Sequence, residues 1–307
     1  MIRTLISILV VLLTAEGVMW VGGIPSVNNR RAVSSTSSSS GSHMTGIDPQ
    51  VDLMSTMGPV TPTGCSKFME WKAGKPSYDK DQLAERLALY NNVWGASSTS
   101  SDSMQSVKCD KYEEGTVSWT TTLSFKSGNP SLDNQVKSYS NVAWYGKPVQ
   151  ISALNKFTTS WNWKLTEEST DLVADVSYDI FTSKSSSCSG QGGGCASHEI
   201  MIWLVSKGGA TPAGSKVPKK TVTIGKNHEF EVWKGVVGGI QVISLVPVQG
   251  KAYQRFKGNF IPLLLTEDRG EVIVDLTNVV TGSSLKLAGH AQTISEEPVT
   301  TFVKNLQ

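Results

Sequence analysis

In the run Glu199–Val205, the residues Glu199, Met201 and Trp203 alternate with Ile200, Ile202 and Leu204. Successive side chains of an extended chain point to opposite faces. The three aliphatic residues therefore share one face, and the carboxylate, thioether and indole share the other. The aliphatic face suits a core. The opposite face suits a sugar: an indole stacks on the apolar side of a pyranose ring, and a carboxylate beside it can reach the anomeric carbon. A buried strand with Glu199 at its edge is the competing reading, and spacing alone does not separate the two.

A second run, Leu172–Phe181, puts Asp175, Ser177 and Asp179 on one face and Ala174, Val176, Tyr178 and Ile180 on the other. Pairing of the two runs through the loop that holds Cys188 and Cys195 would bring Asp179 into the same groove as Glu199. A solvated polar face is the alternative fate of these residues. Trp161 and Trp163 share a face of Ser160–Trp163 and fit a core better than a ligand platform. His198 points away from the Glu199 side, and no Ser/His/Asp arrangement stands out. The glycines between Gly190 and Gly194 lack the Lys-Ser/Thr ending of a phosphate loop and read as a hairpin loop.

The elements that must position these residues are short and extended. Alternating segments recur at 116–125, 135–145, 158–165, 172–181, 199–205, 219–224, 229–233 and 239–246, separated by Ser127–Pro130, Ser185–Gly194 and Gly208–Gly209. Many short strands with turn residues between them predict an all-β sandwich or barrel, and a mostly antiparallel two-sheet sandwich fits best. Helical spacing is scarce. Asp81–Leu89 is expected to form one or two helical turns, and Phe256–Glu267 a short helix with Pro262 near its first turn.

The ends and composition bound the function classes. Met1-Ile2-Arg3, followed by the apolar run Leu5–Leu13, reads as a secretory signal peptide over residues 1–22. Glu16 arrives too early for a membrane helix of about 20 apolar residues. Arg30-Arg31 offers a processing site. Residues 23–64 read as a propeptide and Ser/Thr-rich disordered linker, because such a composition buries too little surface to offset ordering. That leaves 65–307 as the folded domain, secreted and extracellular, with no membrane partner after processing. The net charge of +2 over 307 residues gives no reason to expect a nucleic-acid partner.

Four cysteines in an exported chain suggest two disulfides. Three connectivities are open, and Cys65–Cys109 with Cys188–Cys195 is favoured because the latter two bracket one loop. The histidines (His43, His198, His228, His290) are scattered, so no metal site and no cofactor are expected. No Asn-x-Ser/Thr acceptor is present.

At this point several blocks, in order, resemble glycoside hydrolase family 12. They are Tyr90–Gly95, Val136–Asn141, Val173–Thr182, and Glu199–Leu204 with Gly208-Gly209-Ala210-x-Pro212 behind it. The likeness spans about Cys65 to Gly258. It implies a β-jelly roll of two curved antiparallel sheets with a concave substrate cleft, and a retaining double displacement on a β-1,4-glucan. By position, Glu199 corresponds to the nucleophile and Asp179 to the carboxyl that hydrogen-bonds it. Asn92, Trp94, Met201 and Trp203 correspond to cleft residues, and Cys65–Cys109 to the family's N-terminal disulfide. The acid/base corresponds to Glu297, in Ser295-Glu296-Glu297-Pro298-Val299, where Val299 replaces the family's aromatic. The form of the Glu199 block resembles the xyloglucan-active branch. The reading is a monomeric endo-glucanase acting on xyloglucan, cellulose or mixed-linkage glucan. The rival is a glucan-binding decoy that keeps the cleft and lacks the acid.

Overall fold

The structure is a computed structural model. It describes residues 51–52, 64–75, 78–93, 95–96, 99–113, 116–126, 135–144, 148–188, 195–267, 272–283 and 287–292, with the last two segments and 51–52 described by backbone alone. Two stretches assigned from sequence, 1–22 and most of 23–64, lie outside these residues. The described residues belong to one unit, Asp48–Gln307.

The strands in chain order are β1 (Val51–Asp52), β2 (Phe68–Lys72), β3 (Lys80–Ala84), β4 (Leu87–Tyr90), β5 (Met104–Glu113), β6 (Thr116–Phe125), β7 (Val136–Trp144), β8 (Val149–Gln150), β9 (Leu154–Lys156) and β10 (Thr158–Asn162). They continue as β11 (Lys164–Glu168), β12 (Val173–Ser183), β13 (His198–Lys207), β14 (Ser215–Ile224), β15 (His228–Val237), β16 (Ile240–Pro247), β17 (Arg255–Asn259), β18 (Val272–Ser283) and β19 (Leu287–Gln292). One helix, α1 (Ile261–Glu267), follows β17. A five-stranded sheet runs β11-β19-β6-β5-β2, and a larger one runs β14-β15-β16-β13-β12-β18-β7-β4-β3 with β8 beside β18. β1, inside the stretch read as linker, pairs in parallel with β9.

The core lies between the sheets and takes one face of each. Ile200, Ile202 and Leu204 of β13 meet Val176, Tyr178 and Ile180 of β12, and both groups pack with Val117 and Trp119 of β6 and Val107 of β5. Aromatic rings fill its centre. Trp119 stacks on Trp161 at 5.7 Å between centroids, and Tyr178 meets Trp161 and Phe260 edge-on at 5.4 and 5.1 Å. Trp161 and Trp163 are thus core residues, as their context suggested.

The Asp81–Leu89 helix does not form. Lys80–Ala84 and Leu87–Tyr90 are an antiparallel hairpin, and β4 pairs on with β7. Leu83, Leu87 and Leu89 are fully buried in one core cluster while Ala88 and Tyr90 are buried on the other face of β4, so burial on both faces replaces the helical stripe that the spacing mimicked. Asp81 is buried at the hairpin's start and its Oδ2 accepts the backbone N–H groups of Cys65, Ser66 and Lys67 at 3.1–3.2 Å. The second helix is shorter than expected: 255–259 is strand, and the helix begins at Ile261 with Pro262 in its first turn, where a missing N–H costs nothing. Within the larger sheet one described pair departs from antiparallel order. β13 and β16 run parallel, because the β14–β15 hairpin carries the chain out and β16 returns beside β13.

Candidate active site

The face of the larger sheet turned away from the core carries the residues that could do chemistry. β12 and β13 pair antiparallel across the loop closed by Cys188–Cys195, whose Cα atoms lie 5.6 Å apart. Cys65–Cys109 is the other disulfide, with Cα atoms 5.0 Å apart, so the favoured connectivity is the one present. In the β12–β13 ladder Phe181 faces Glu199, Asp179 faces Met201, Ser177 faces Trp203 and Asp175 faces Ser206. Directly opposed residues share a face. Glu199 and Asp179 therefore lie on one face, diagonal to each other across neighbouring strands.

A bulge in β13 sustains this arrangement. The register shifts between Val176 and Ser177, so that Leu204 is the extra residue between Trp203 and Val205. Strict alternation would turn Val205 toward the cleft. The bulge instead sends both Leu204 and Val205 into the core and returns Ser206 to the cleft side, opposite Asp175. After β13 the chain turns at Gly208 and Gly209, both left-handed at φ 61° and 80°. A Cβ on Gly208 would stand 2.1 Å from the Leu172 carbonyl oxygen, so only glycine fits there.

These elements enclose a cleft of about 500 Å³ lined by Tyr139, Asp175, Glu199, Met201, Trp203 and the 208–213 turn. Met201 and Trp203 form a small apolar floor with Val246, and Trp233 of β15 packs against it. The Trp203 indole is 4 % exposed, and its Nε1–H has no hydrogen-bond acceptor among the described residues. Burial lifts the Glu199 carboxyl to about 7. Asp175 is likewise lifted to about 7 by burial, against the opposing effect of a hydrogen bond from Ser177 Oγ at 2.8 Å. The Tyr139 hydroxyl is held well above its ordinary range by burial and by the nearby charges of Glu199, Asp175 and Asp179.

Of the residues singled out from sequence, Glu199, Met201 and Trp203 line the cleft. Asp179 does not; it is 7 % exposed and sits on the same face beside Met201. Asn92 approaches from the loop after β4. Its carbonyl accepts the Tyr139 N–H at 3.0 Å, and its Nδ2 donates to Asn141 Oδ1 at 3.5 Å. Trp94 and Glu297 lie outside the described residues. Asp175, Tyr139 and Trp233 were missed as site residues. Asp175 was visible as the face-mate of Asp179, whereas Tyr139 and Trp233 reach this face only through strand order.

Comparison with known proteins settles the family. The model described as glycosyl hydrolase family 12 matches residues 85–260, more than half of the chain. The chain belongs to glycosyl hydrolase family 12. This family 12 glycosidase is 34% identical to the probable xyloglucan-specific endo-beta-1,4-glucanase A of Aspergillus terreus, over 67% of this chain and 81% of that protein. It is 38% identical to a Phytophthora nicotianae protein described as an inactive glycoside hydrolase, over 61% of this chain and 71% of that one. Among solved structures, endoglucanase 3 of Trichoderma harzianum superposes with a TM-score of 0.62 at 22% identity, covering 75% of this chain and 95% of that one. That likeness bears on the fold, a two-sheet jelly roll.

Proposed function

We propose that this family 12 chain is a secreted endo-acting hydrolase of β-1,4-glucan, with xyloglucan preferred, working by retention of configuration. One observation carries the reading: a part-buried carboxyl, Glu199, at the wall of a cleft floored by Met201 and Trp203, with Asp179 diagonal to it on the next strand. Glu199 attacks the anomeric carbon and forms a covalent glycosyl-enzyme. An acid protonates the departing oxygen, then acts as base on the water that releases the sugar. Glu297 is assigned that role by its resemblance in sequence. The two carboxyls of such a pair stand about 5–5.5 Å apart. Asp179 is assigned by the same resemblance as the carboxyl that hydrogen-bonds Glu199 and steers its titration. The nucleophile must be ionised, and with its carboxyl lifted to about 7 the attack strengthens as pH rises through that value.

The test is hydrolysis. Purified protein incubated with tamarind xyloglucan and with barley β-glucan releases reducing ends, while Glu199→Gln and Glu297→Gln release almost none. Hydrolysis that survives Glu199→Gln would sink the mechanism. A second reading, a glucan-binding protein without turnover, draws support from the relative described as inactive. It predicts that the wild type binds both glucans and cleaves neither.

A further inference from the structure

The charge of this chain is unevenly placed. Residues 214–258 hold eight Lys and Arg against two Glu, a net +6, so the remaining residues sum to −4. The stretch covers β14, β15, β16 and most of β17, and β14 is an edge of the larger sheet. Of its two carboxylates, Glu231 is engaged by Lys216 at 2.5 Å, and Glu229 is exposed. Lys219, Lys220, Lys226, Lys251, Arg255 and Lys257 are all exposed, and none makes a salt bridge with a described residue. On the five-stranded sheet the opposite holds. Lys72, Lys108 and Lys111 each lie within 3.5 Å of a carboxylate, those of Glu70, Asp110 and Glu113.

The fold gathers the unpaired cations. The turn 225–227 joins β14 to β15 and packs against β17, where a Cβ on Gly225 would stand 3.1 Å from the Lys257 carbonyl oxygen. His228, just past the turn, meets Tyr253 and Phe256 at 4.7 and 4.8 Å between ring centroids. Along β17 Phe256 and Gly258 are buried while Arg255 and Lys257 are exposed, since alternate residues face opposite ways. Lys226 and Lys257 therefore flank one contact. Lys219 and Lys220 continue the row along the edge strand, Lys220 within about 20 Å of Lys226. Lysines on a sheet edge deter pairing with another chain. That accounts for Lys219 and Lys220, and not for the four cations off the edge.

We propose that this flank binds an acidic polysaccharide, a polyuronate whose carboxylates pair with these cations, at a surface separate from the cleft. None of the six residues lines the cleft. Glu199 lies in the row of Val242 and Gly235, toward one end of β15, and the turn 225–227 stands at the other end. The side chains select the partner among polyanions. Five of the six are lysines, compact charges that meet a carboxylate singly, and the fork that suits phosphate is present once. Single-stranded nucleic acid calls for exposed rings on which bases stack, and a membrane surface for apolar side chains beside the charges. Here Phe230, Tyr253 and Phe256 are buried, and the exposed Val236 and Val237 lie at the far end of β15. The flank offers charge alone, spread along a line, which a carboxylate on each sugar unit satisfies. Anchorage on such a polymer keeps the cleft beside the glucan mixed with it and raises the local glucan concentration.

Retention of the full protein on immobilised polygalacturonate at pH 6 tests this. Affinity is expected to fall at least about tenfold between about 25 and about 250 mM NaCl, because exposed charges are screened. The triple variant Lys220→Gln, Lys226→Gln, Lys257→Gln is expected to bind about tenfold more weakly at the lower salt. Lys72→Gln, Lys108→Gln, Lys111→Gln lowers the net charge equally and is expected to stay within about twofold of wild type. Lys226→Glu with Lys257→Glu answers for the first variant should it fold poorly, with a loss at least as large. The readout is binding, so a cleft without turnover leaves the test intact, and failure here leaves the glucan reading standing. No retention at low salt, or equal losses in the two triple variants, would overturn the proposal. Tighter binding to phosphatidylserine vesicles or to single-stranded DNA than to polygalacturonate would overturn it as well, by naming another class of partner.

Discussion

A carboxyl lifted by burial stores instability that a neutral isostere releases, and Asp175→Asn reads that quantity directly. Asparagine keeps the shape and an oxygen for the Ser177 hydroxyl, and removes the charge. In the unfolded chain Asp175 ionises near its ordinary value of 3.8, whereas in the fold it ionises near 7. Between these values the folded protein holds a proton that the unfolded chain has lost, so wild-type stability falls as pH rises from about 4 to about 7 and then levels. The interval from 3.8 to about 7, at about 1.4 kcal/mol per pH unit, gives on the order of 4 kcal/mol. Asp175→Asn is expected to match wild type at pH 4 and to exceed it by a few kcal/mol at pH 8. Urea unfolding of both proteins at pH 4, 5.5 and 8 measures the difference, and the Glu199 contribution cancels because both proteins carry it. A stability gap that does not change with pH, or an Asp175→Asn protein weaker than wild type at pH 8, would refute the reasoning.

Other outcomes follow from the same geometry. In wild type, the pH profile of kcat/KM should show an acid limb near 7, because Glu199 below that value is protonated and cannot attack; a profile flat from pH 5 to 8 would contradict it. Breaking Cys65–Cys109, whose ends are 44 positions apart, should cost about 4 kcal/mol, against about 2.5 kcal/mol for Cys188–Cys195, whose ends are 7 positions apart. Urea unfolding of the two double-serine variants gives the order, and the reverse order would count against the loop-entropy argument. Gly208→Ala should lose at least about 2 kcal/mol, from left-handed backbone strain and from contact with the Leu172 carbonyl. It should also raise KM, since the 208–213 turn forms part of the cleft.

The alternation of Glu199–Val205 and of Leu172–Phe181 was enough to say which side chains share a face, because the period of a strand is two and depends on nothing distant. The order of four sequence blocks was enough to point to the family. Both disulfides were legible, the shorter from its loop and the longer from the resemblance. The helix expected at Asp81–Leu89 failed because local spacing cannot report that the two halves pair as a hairpin, that β4 pairs on with β7, or that Leu83, Leu87 and Leu89 all join one core cluster.

The sequence by itself determined that Glu199, Met201 and Trp203 look one way and that Asp175, Ser177 and Asp179 look one way. Only the tertiary structure decided that these are the same way, since register between strands is set by long-range pairing. It also decided the bulge at Leu204 that keeps Asp175 and Ser206 on the cleft side, and the strand order that brings Tyr139 beside three carboxylates. The lifted titration of Glu199 and Asp175 belongs wholly to that level. An isolated strand leaves its carboxyls in water, and only the packed sheet and its surrounding turns take the water away.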